Sequence, residues 1–492
     1  MVAIESCDVC IVGAGLTGMN ALFAASRYLG PDQKIILLDR RQGAGGMWVD
    51  TYPYVRLHQP HGMFTAGNIE WTLDRDRSYL ATKCEVLDHF EHCLDEIRQL
   101  VQVEERFGCA YLSHDYLSHD AGTDSGVRVA YRSASGEERV IEATRLIKAY
   151  GFGITPNDPL TISSGSARSV SPDYCDMRCG AIADSDEPVW IIGGGKTAMD
   201  TAHTLITRYP GREVNMVAGS GTFFTSRDKA FPSGARRWWS GTMASGLGGE
   251  LAQRFDGTNE AEITRWYRGA YGTQPTSQAG QFVLGVLSES ETRTIAAGLN
   301  EVVMDHLDDA VDRGGATDLV FRSGASRSIT PGSWLVNCTG YVTKTDMPYE
   351  PYTSAEGSVL SIQTRSATMH LTSHAGYFMT HLMFLDKLHS APLYELDLQQ
   401  LWRTSKQALP WAMFSVVQYN LSVIADEVPA KVFSECGVNL DNWYPWHRRT
   451  AAALNFLRTH RRQRERLRRT LDNLQERFDI RCGPLDSAAR AS

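Results

Sequence analysis

The feature that most constrains this chain is Gly13-x-Gly15-x-x-Gly18, entered from an apolar run at 9–12 and left through small residues from Met19 to about Tyr28. So short an apolar run reads as a buried strand, and the segment after the glycines reads as a helix. The three glycines then have separate tasks: a tight turn, close backbone approach to a pyrophosphate, and close packing of helix on strand. The helix start offers unpaired N–H groups and a partial positive charge to phosphate. A second strand at 34–38 closes in Asp39, an acid placed for a ribose hydroxyl.

The pattern returns further on. Residues 188–192 read as a strand, Gly193-Gly194-Gly195-Lys196-Thr197-Ala198 as a glycine turn, 199–209 as a helix and 214–217 as the next strand. Ala198 replaces the last glycine, a change the fingerprint accommodates. Gly195-Lys196-Thr197 also ends like a phosphate loop, but that loop needs a glycine where Trp190 stands, which excludes it.

Strands at 127–131, 138–141 and 145–149 precede a loop carrying Pro156, Pro159 and many serines, a natural boundary. Strands at 301–304, 318–321 and 334–337 follow the second unit, the last leading into Cys338-Thr339-Gly340-Tyr341. The fold expected is α/β: two Rossmann-like dinucleotide-binding domains, the second inserted in the first, with a helical insertion and C-terminal helices. The first domain takes 1–160 and 331–400, and the second takes 185–330 with the insertion at about 225–300. A C-terminal helical region at 401–480 precedes a tail, 483–492, expected to be disordered.

Other segments carry plainer readings. Val86, Phe90, Cys93, Leu94 and Ile97 lie at helical spacing within 81–103. In the insertion, Trp238 and Trp239 are expected in the core rather than lining a pocket. Residues 376–381 read as a strand–helix junction opening a helix near Leu382. From 448 to 478, Leu467, Leu471, Leu474 and Phe478 share one face of an arginine-rich helix, whose arginines read as a solvated face rather than a nucleic-acid or membrane contact. Tyr-Leu-Ser-His-Asp at 111–115 and again at 116–120 is too short for a repeat architecture.

Composition bounds the function. The 492 residues, 42% hydrophobic and 22% charged, provide core for several domains, and a net charge of −8 argues against nucleic acid as partner. No apolar run approaches the ~20 residues of a membrane span. No basic-then-apolar leader is read at the N-terminus. The ten cysteines lack framework spacing. Cys7 and Cys10 point to opposite faces of a strand, and Cys175 and Cys179 lack a completing ligand, so all are read as structural and no metal site is expected. A reducing, cytoplasmic location is expected.

Two dinucleotide units imply two dinucleotides, and the natural pair is a bound flavin and an exchanging nicotinamide. FAD is assigned to the first unit, with contacts expected from Gly13, Gly15, Gly18, Asp39, Arg40, Gly46, Met47, Trp48 and, by position, Gln59. The nicotinamide cofactor is assigned to Gly193, Gly195, Lys196, Thr197 and Ser220. The strand at 214–217 ends without the arginine that grips a 2′-phosphate, leaving Arg227 or Lys229 to reach it, and Ala218 provides no acid to favour NAD. NADPH is expected with a weakened preference, and NADH stays open.

Gly13-x-Gly15-x-x-Gly18, Asp39, Gly45-Gly46-Met47-Trp48, Gly193-x-Gly195-x-x-Ala198 with Asp200 and Ala202, and Asn337-Cys338-Thr339-Gly340-Tyr341 together resemble the flavin-containing monooxygenase superfamily, which includes the Baeyer–Villiger monooxygenases. The likeness spans roughly 5–390. Cys338-Thr339-Gly340-Tyr341 resembles the family's hinge turn, which implies cofactor contacts at Thr339 and Gly340. Tyr52-Pro53-x-x-Arg56-x-His58 resembles a Baeyer–Villiger motif, and Arg56-x-His58-x-Pro60 equally resembles the stretch where heteroatom-oxidising members carry asparagine beside the flavin.

The resemblance implies that NADPH reduces FAD, O₂ adds to the flavin, and a C4a-(hydro)peroxide transfers one oxygen atom. The acceptor is a small hydrophobic substrate, oxidised at nitrogen or sulfur or by Baeyer–Villiger insertion. His58 takes the flavin-side polar position, where it either hydrogen-bonds the peroxide and moves a proton near neutral pH, or only contacts FAD or a carbonyl. Arg56 either balances negative charge on flavin or phosphate, or forms a structural ion pair. The chain departs from the family in lacking the linker histidine at 164–174 and in carrying Lys196 where asparagine is frequent.

Three rivals are weighed. A disulfide reductase needs a cysteine pair, and 45–59 has none; an oxidase or dehydrogenase with a vestigial second unit is opposed by intact Gly193, Gly195 and Ala198. A non-enzymatic flavin-binding protein is opposed by both intact turns. Partners are then the substrate and O₂, with a homo-oligomer left open.

Overall fold

A computed structural model describes residues 4–117, 126–151, 154–341 and 346–485. Strand Ile4–Val12 sits between Lys34–Asp39 and Glu138–Ala149, all three parallel. Covering on both faces accounts for the unbroken apolar run at Val9, Cys10, Ile11 and Val12. Gln102–Phe107 extends the sheet beyond Lys34–Asp39, and Val359–Ile362 lies parallel on the C-terminal half of Glu138–Ala149.

The expected strands at 138–141 and 145–149 are one strand of twelve residues. Its N-terminal half turns antiparallel to Val127–Arg132, which pairs in turn with Ala110–Tyr116. The polar stretch at 142–145 marks the alternation of a two-sided strand, not a turn.

The second glycine turn rises from a five-stranded parallel sheet ordered Glu301–Val303, Val214–Val217, Val189–Ile192, Trp334–Asn337 and Arg168–Val170. The chain enters this sheet after the first domain's strand Glu138–Ala149 and returns from Trp334–Asn337 to that domain's Val359–Ile362. The second unit is therefore inserted in the first.

Several expectations change. The insertion is mixed rather than helical: Thr222–Ser226 pairs with Gln281–Leu287 and Gly272–Thr273 beside helices Ala244–Arg254, Glu260–Tyr271 and Glu289–Gly298. Phe223 stacks on Phe282 at 5.1 Å, so burying these aromatics in a sheet core outweighs local helix preference. Trp238 and Trp239 are not in the core; they are 47% and 71% exposed. They end the short turn Gly234–Trp238, whose carbonyl side is taken up by Arg448, so the indoles face out.

Residues 376–381 lie inside helix Thr372–Phe384 rather than before it. A Cβ on Gly376 would stand 2.3 Å from the carbonyl oxygen of Thr17, so this glycine serves a close crossing with helix Leu16–Ser26 and not a turn.

The long C-terminal helix runs Trp446–Phe478, with Leu467, Leu471 and Leu474 buried. Gly483 and Pro484 of the expected tail belong to strand Cys482–Pro484, which pairs with Tyr394–Asp397, while 486–492 lie outside the described residues. The helix expected within 81–103 is Lys83–Arg98, opened by a capping box of Thr82 and Glu85. The first Tyr-Leu-Ser-His-Asp lies on strand Ala110–Tyr116, and residues 118–120 of the second lie outside the described residues. No helix among the described residues is long and apolar enough to cross a membrane.

Candidate functional site

The first turn is built by contact. Gly13, at φ +109°, donates its N–H to Leu38 O at 2.7 Å, and a Cβ there would lie 2.5 Å from Ala149 O. A Cβ on Gly18 would lie 1.7 Å from Gly13 O. Asp39 is buried under the turn, its carboxylate accepting the N–H groups of Ala14 at 2.7 Å and Arg41 at 2.8 Å. The 45–48 loop closes on the same turn: Gly45 N donates to Ala14 O at 2.9 Å, and a Cβ on Gly46 would stand 2.7 Å from Gly15 Cα. Trp48 is buried edge-on to Phe64, while Met47 and Arg40 are exposed.

A second helix reaches this turn. Thr372 Oγ1 lies 2.7 Å from Thr17 Oγ1, so helices Leu16–Ser26 and Thr372–Phe384 start side by side. Neither start has a side-chain cap. Two uncapped helix N-termini, a glycine cradle and a carboxylate at the strand end fit the diphosphate and ribose of FAD. His370 and His374, 4.8 Å apart, adjoin the second start. Burial pushes His370 down to about 4 and also lowers His374, so both rings are neutral at pH 7; His374 Nδ1 is buried without a partner among the described residues. Sequence reading missed this pair because nothing local ties 370–374 to a turn at 13–18.

The second turn repeats the plan. Gly193, at φ +133°, lies so close to its neighbour that a Cβ would meet Cys338 O at 2.3 Å. Gly195 opens helix Lys196–Arg208 without a side-chain cap, and a Cβ there would meet nothing within 4 Å, leaving room at the helix start for a phosphate. Thr339 is held by Asn337 Oδ1, 2.7 Å from its Oγ1; Gly340 follows with open space about it. Ser220 is exposed after strand Val214–Val217. The His306 imidazole packs on neighbouring Gly219, where a Cβ would lie 2.8 Å from Cε1. His306 thus stands where the sequence lacks a phosphate-gripping arginine. Lys229 Nζ is engaged by Ala270 O at 2.8 Å.

The two units meet at 52–58. Tyr52 OH donates to Asp200 Oδ2 at 2.7 Å, Lys196 pairs with Asp200 Oδ1, and Tyr54 OH lies 2.7 Å from Thr201 Oγ1. Arg227 Nε donates to His58 O at 2.8 Å and its Nη1 to Glu291 at 2.7 Å, while Nη2 is buried without a partner among the described residues. Burial would raise Glu291, but Arg227, Ser288 and Lys196 hold it at about 2. Burial, with Lys196 and Arg227 nearby, pushes half-buried His58 down to about 3. Its ring is then neutral at pH 7.

The structure brings His58, Lys196 and Arg227 together and leaves Arg56 apart. Arg56 is exposed, with Nη1 on Leu80 O at 3.0 Å and its guanidinium 5.8 Å from the Tyr79 ring centre. Gln59 is half-buried. Lys196 and Arg227, expected at the nicotinamide cofactor, are engaged in ion pairs at this junction.

Residues 7–239 match the family model described as pyridine nucleotide-disulphide oxidoreductase. A Mycobacterium tuberculosis protein described as "Putative FAD-containing monooxygenase MymA" is 28% identical over 210 residues, which is 42% of this chain and 40% of that protein. The chain thus covers less than half the length of this curated relative. Among solved structures, a flavin-containing monooxygenase from Stenotrophomonas maltophilia is 14% identical, covering 75% of this chain and 88% of that one at a TM-score of 0.42. A cyclohexanone monooxygenase is 12% identical, covering 93% of this chain and 99% of that one at a TM-score of 0.47. The resemblance first drawn from the motifs is met again in the sequence matches.

Proposed function

We infer, on the premise that residues 7–239 form a pyridine nucleotide-disulphide oxidoreductase domain, that the chain is an FAD-dependent, NAD(P)H-consuming monooxygenase. It inserts one oxygen atom from O₂ into a small hydrophobic substrate, by oxidation at nitrogen or sulfur or by Baeyer–Villiger insertion. The observation that carries this reading is the junction at 52–58, where side chains of the second unit grip the loop that follows the first unit's Gly45–Gly46 pair. That junction ties the loop after the first turn to the helix that the second turn opens.

Gly13, Gly15, Gly18, Asp39, Gly46 and Trp48 would hold FAD, which when bound accepts hydride and activates O₂. Gly193, Gly195, Thr197, Ser220 and His306 would hold the nicotinamide cofactor. Neutral His58 offers one N–H donor and one lone pair. Arg227 Nη2 offers a buried N–H to developing negative charge. Lys196, Asp200 and Tyr52 keep the second unit in register. Met63, Phe231, Met243, Trp443 and Tyr444 form a separate buried cluster.

The test is to supply FAD-loaded protein with NADPH, O₂ and a panel of amines, sulfides and ketones. Oxygenated product by mass spectrometry supports the reading. Stoichiometric H₂O₂ with every compound would replace it with an oxidase, and no O₂ uptake at all with a reductase.

A further inference from the structure

The face left over by this chemistry is built from two segments. Arg448, in the first turn of helix Trp446–Phe478, donates to the carbonyls of Arg237 at 3.1 Å and Gly241 at 2.9 Å, binding the turn at 234–241 to the helix start. Trp443 Nε1 donates to Pro232 O and Tyr444 OH to Ala230 O, so the platform is rigid beneath. Trp238 stacks on His447 at 5.5 Å, with Trp446 6.0 Å from the same ring. Trp446, Leu454 and Leu457 are 73%, 57% and 58% exposed, and with Trp239 they are large apolar side chains left uncovered among the described residues.

The charges on this face are mostly positive. Arg77 is lowered by burial and by the nearby cations of Arg237 and Arg449, which places three arginines from three segments together. None of Arg77, Arg236, Arg237 and Arg449 forms an ion pair among the described residues. The acids nearby are Asp76, whose carboxylate is taken by Ser78, Asp74 in the same loop, and buried Asp441, which accepts from Ser245. On a chain of net charge −8, an unpaired arginine cluster beside exposed indoles is complementary to an anionic surface that also accepts apolar groups. A second copy would bring the same positive face against itself, and a nucleic acid would give Leu454 and Leu457 no partner.

We propose that this face docks the protein on an anionic lipid bilayer, with Trp239, Trp446, Leu454 and Leu457 entering the headgroup region and Arg77, Arg237 and Arg449 meeting lipid phosphates. The binding stands independently of the oxygenase reading.

The experiment is co-sedimentation of FAD-loaded full-length protein with vesicles of phosphatidylcholine alone or with added phosphatidylglycerol, alongside tryptophan emission. Binding confined to the anionic vesicles, a blue shift on binding and weakening by salt are expected. Arg449→Gln should weaken binding about fivefold. Trp239→Ala combined with Trp446→Ala should abolish it while FAD content and far-ultraviolet circular dichroism stay unchanged. The proposal is overturned by failure to bind anionic vesicles or equal binding to both kinds. Unaltered binding by the double tryptophan variant, preference for a single-stranded oligonucleotide, or a dimer that shields these tryptophans from quencher would overturn it as well.

Discussion

Arg227 Nε donates to the main-chain carbonyl of His58 at 2.8 Å, so the second unit holds residue 58 by its backbone rather than by its imidazole. His58→Ala is therefore expected to keep FAD bound and the two units in register while uncoupling NADPH oxidation from substrate oxygenation. The ratio of product to NADPH consumed measures this. An unchanged ratio would remove His58 from the oxygen chemistry.

The pH response of that residue has a defined sign. A histidine held at about 3 when folded and near 6.5 when unfolded favours the folded state fully above 6.5, and that contribution is lost as pH falls toward 3. Coupling should be flat from about pH 6 to 8, since His58 carries no charge change there. A histidine-dependent inflection near 6.5 in the wild-type coupling ratio, absent in His58→Ala, would contradict it.

Glu291 works in the same direction at lower pH. Held at about 2 against an ordinary 4.5, it stabilises the fold above pH 4.5 and stops doing so as pH falls through 2. Arg227→Gln removes the partner and leaves a half-buried carboxylate at the junction, so the variant should lose stability at pH 7 and show a flatter acid limb. Thermal unfolding of both proteins from pH 7 to 3 reads this directly.

The last position of each turn, Gly18 in the first and Ala198 in the second, should respond differently when glycine and alanine are exchanged. Gly18→Ala puts a Cβ 1.7 Å from Gly13 O and is expected to cost more than about 2 kcal/mol and to lose FAD. Ala198→Gly, in a helix that already accommodates the methyl, should cost about 1 kcal/mol and leave nicotinamide binding intact. Flavin absorbance after gel filtration and melting temperature separate the two.

His306 and Ser220 lie at the end of strand Val214–Val217, with the Asp305 carboxylate accepting from His306 N at 2.7 Å. A modest NADPH preference is expected, and His306→Ala should reduce it without changing kcat with NADH. A large NADH preference in the wild-type kinetics would overturn this assignment.

Both dinucleotide units, their order and the insertion of one in the other were legible in the sequence. Each turn is specified by residues within one strand–turn–helix unit, where local sterics and helix-terminal N–H groups decide the conformation. The limits of that local logic show in Gly376, which reads as part of a strand–helix junction and is a helix crossing, and in Trp238 and Trp239, which read as core and face outward. The candidate site was half legible. His58 was picked out by motif position, but its neutral state and its junction with Arg227, 169 residues away, depend on which charges the fold brings around it. His306 and the His370–His374 pair had no local signal, because they matter only through what they pack against. The sequence by itself determined that two dinucleotides are cradled, since glycine spacing acts over a few residues. Only the tertiary structure decided which cations meet between them, because burial and pairing are properties of chain segments remote in sequence.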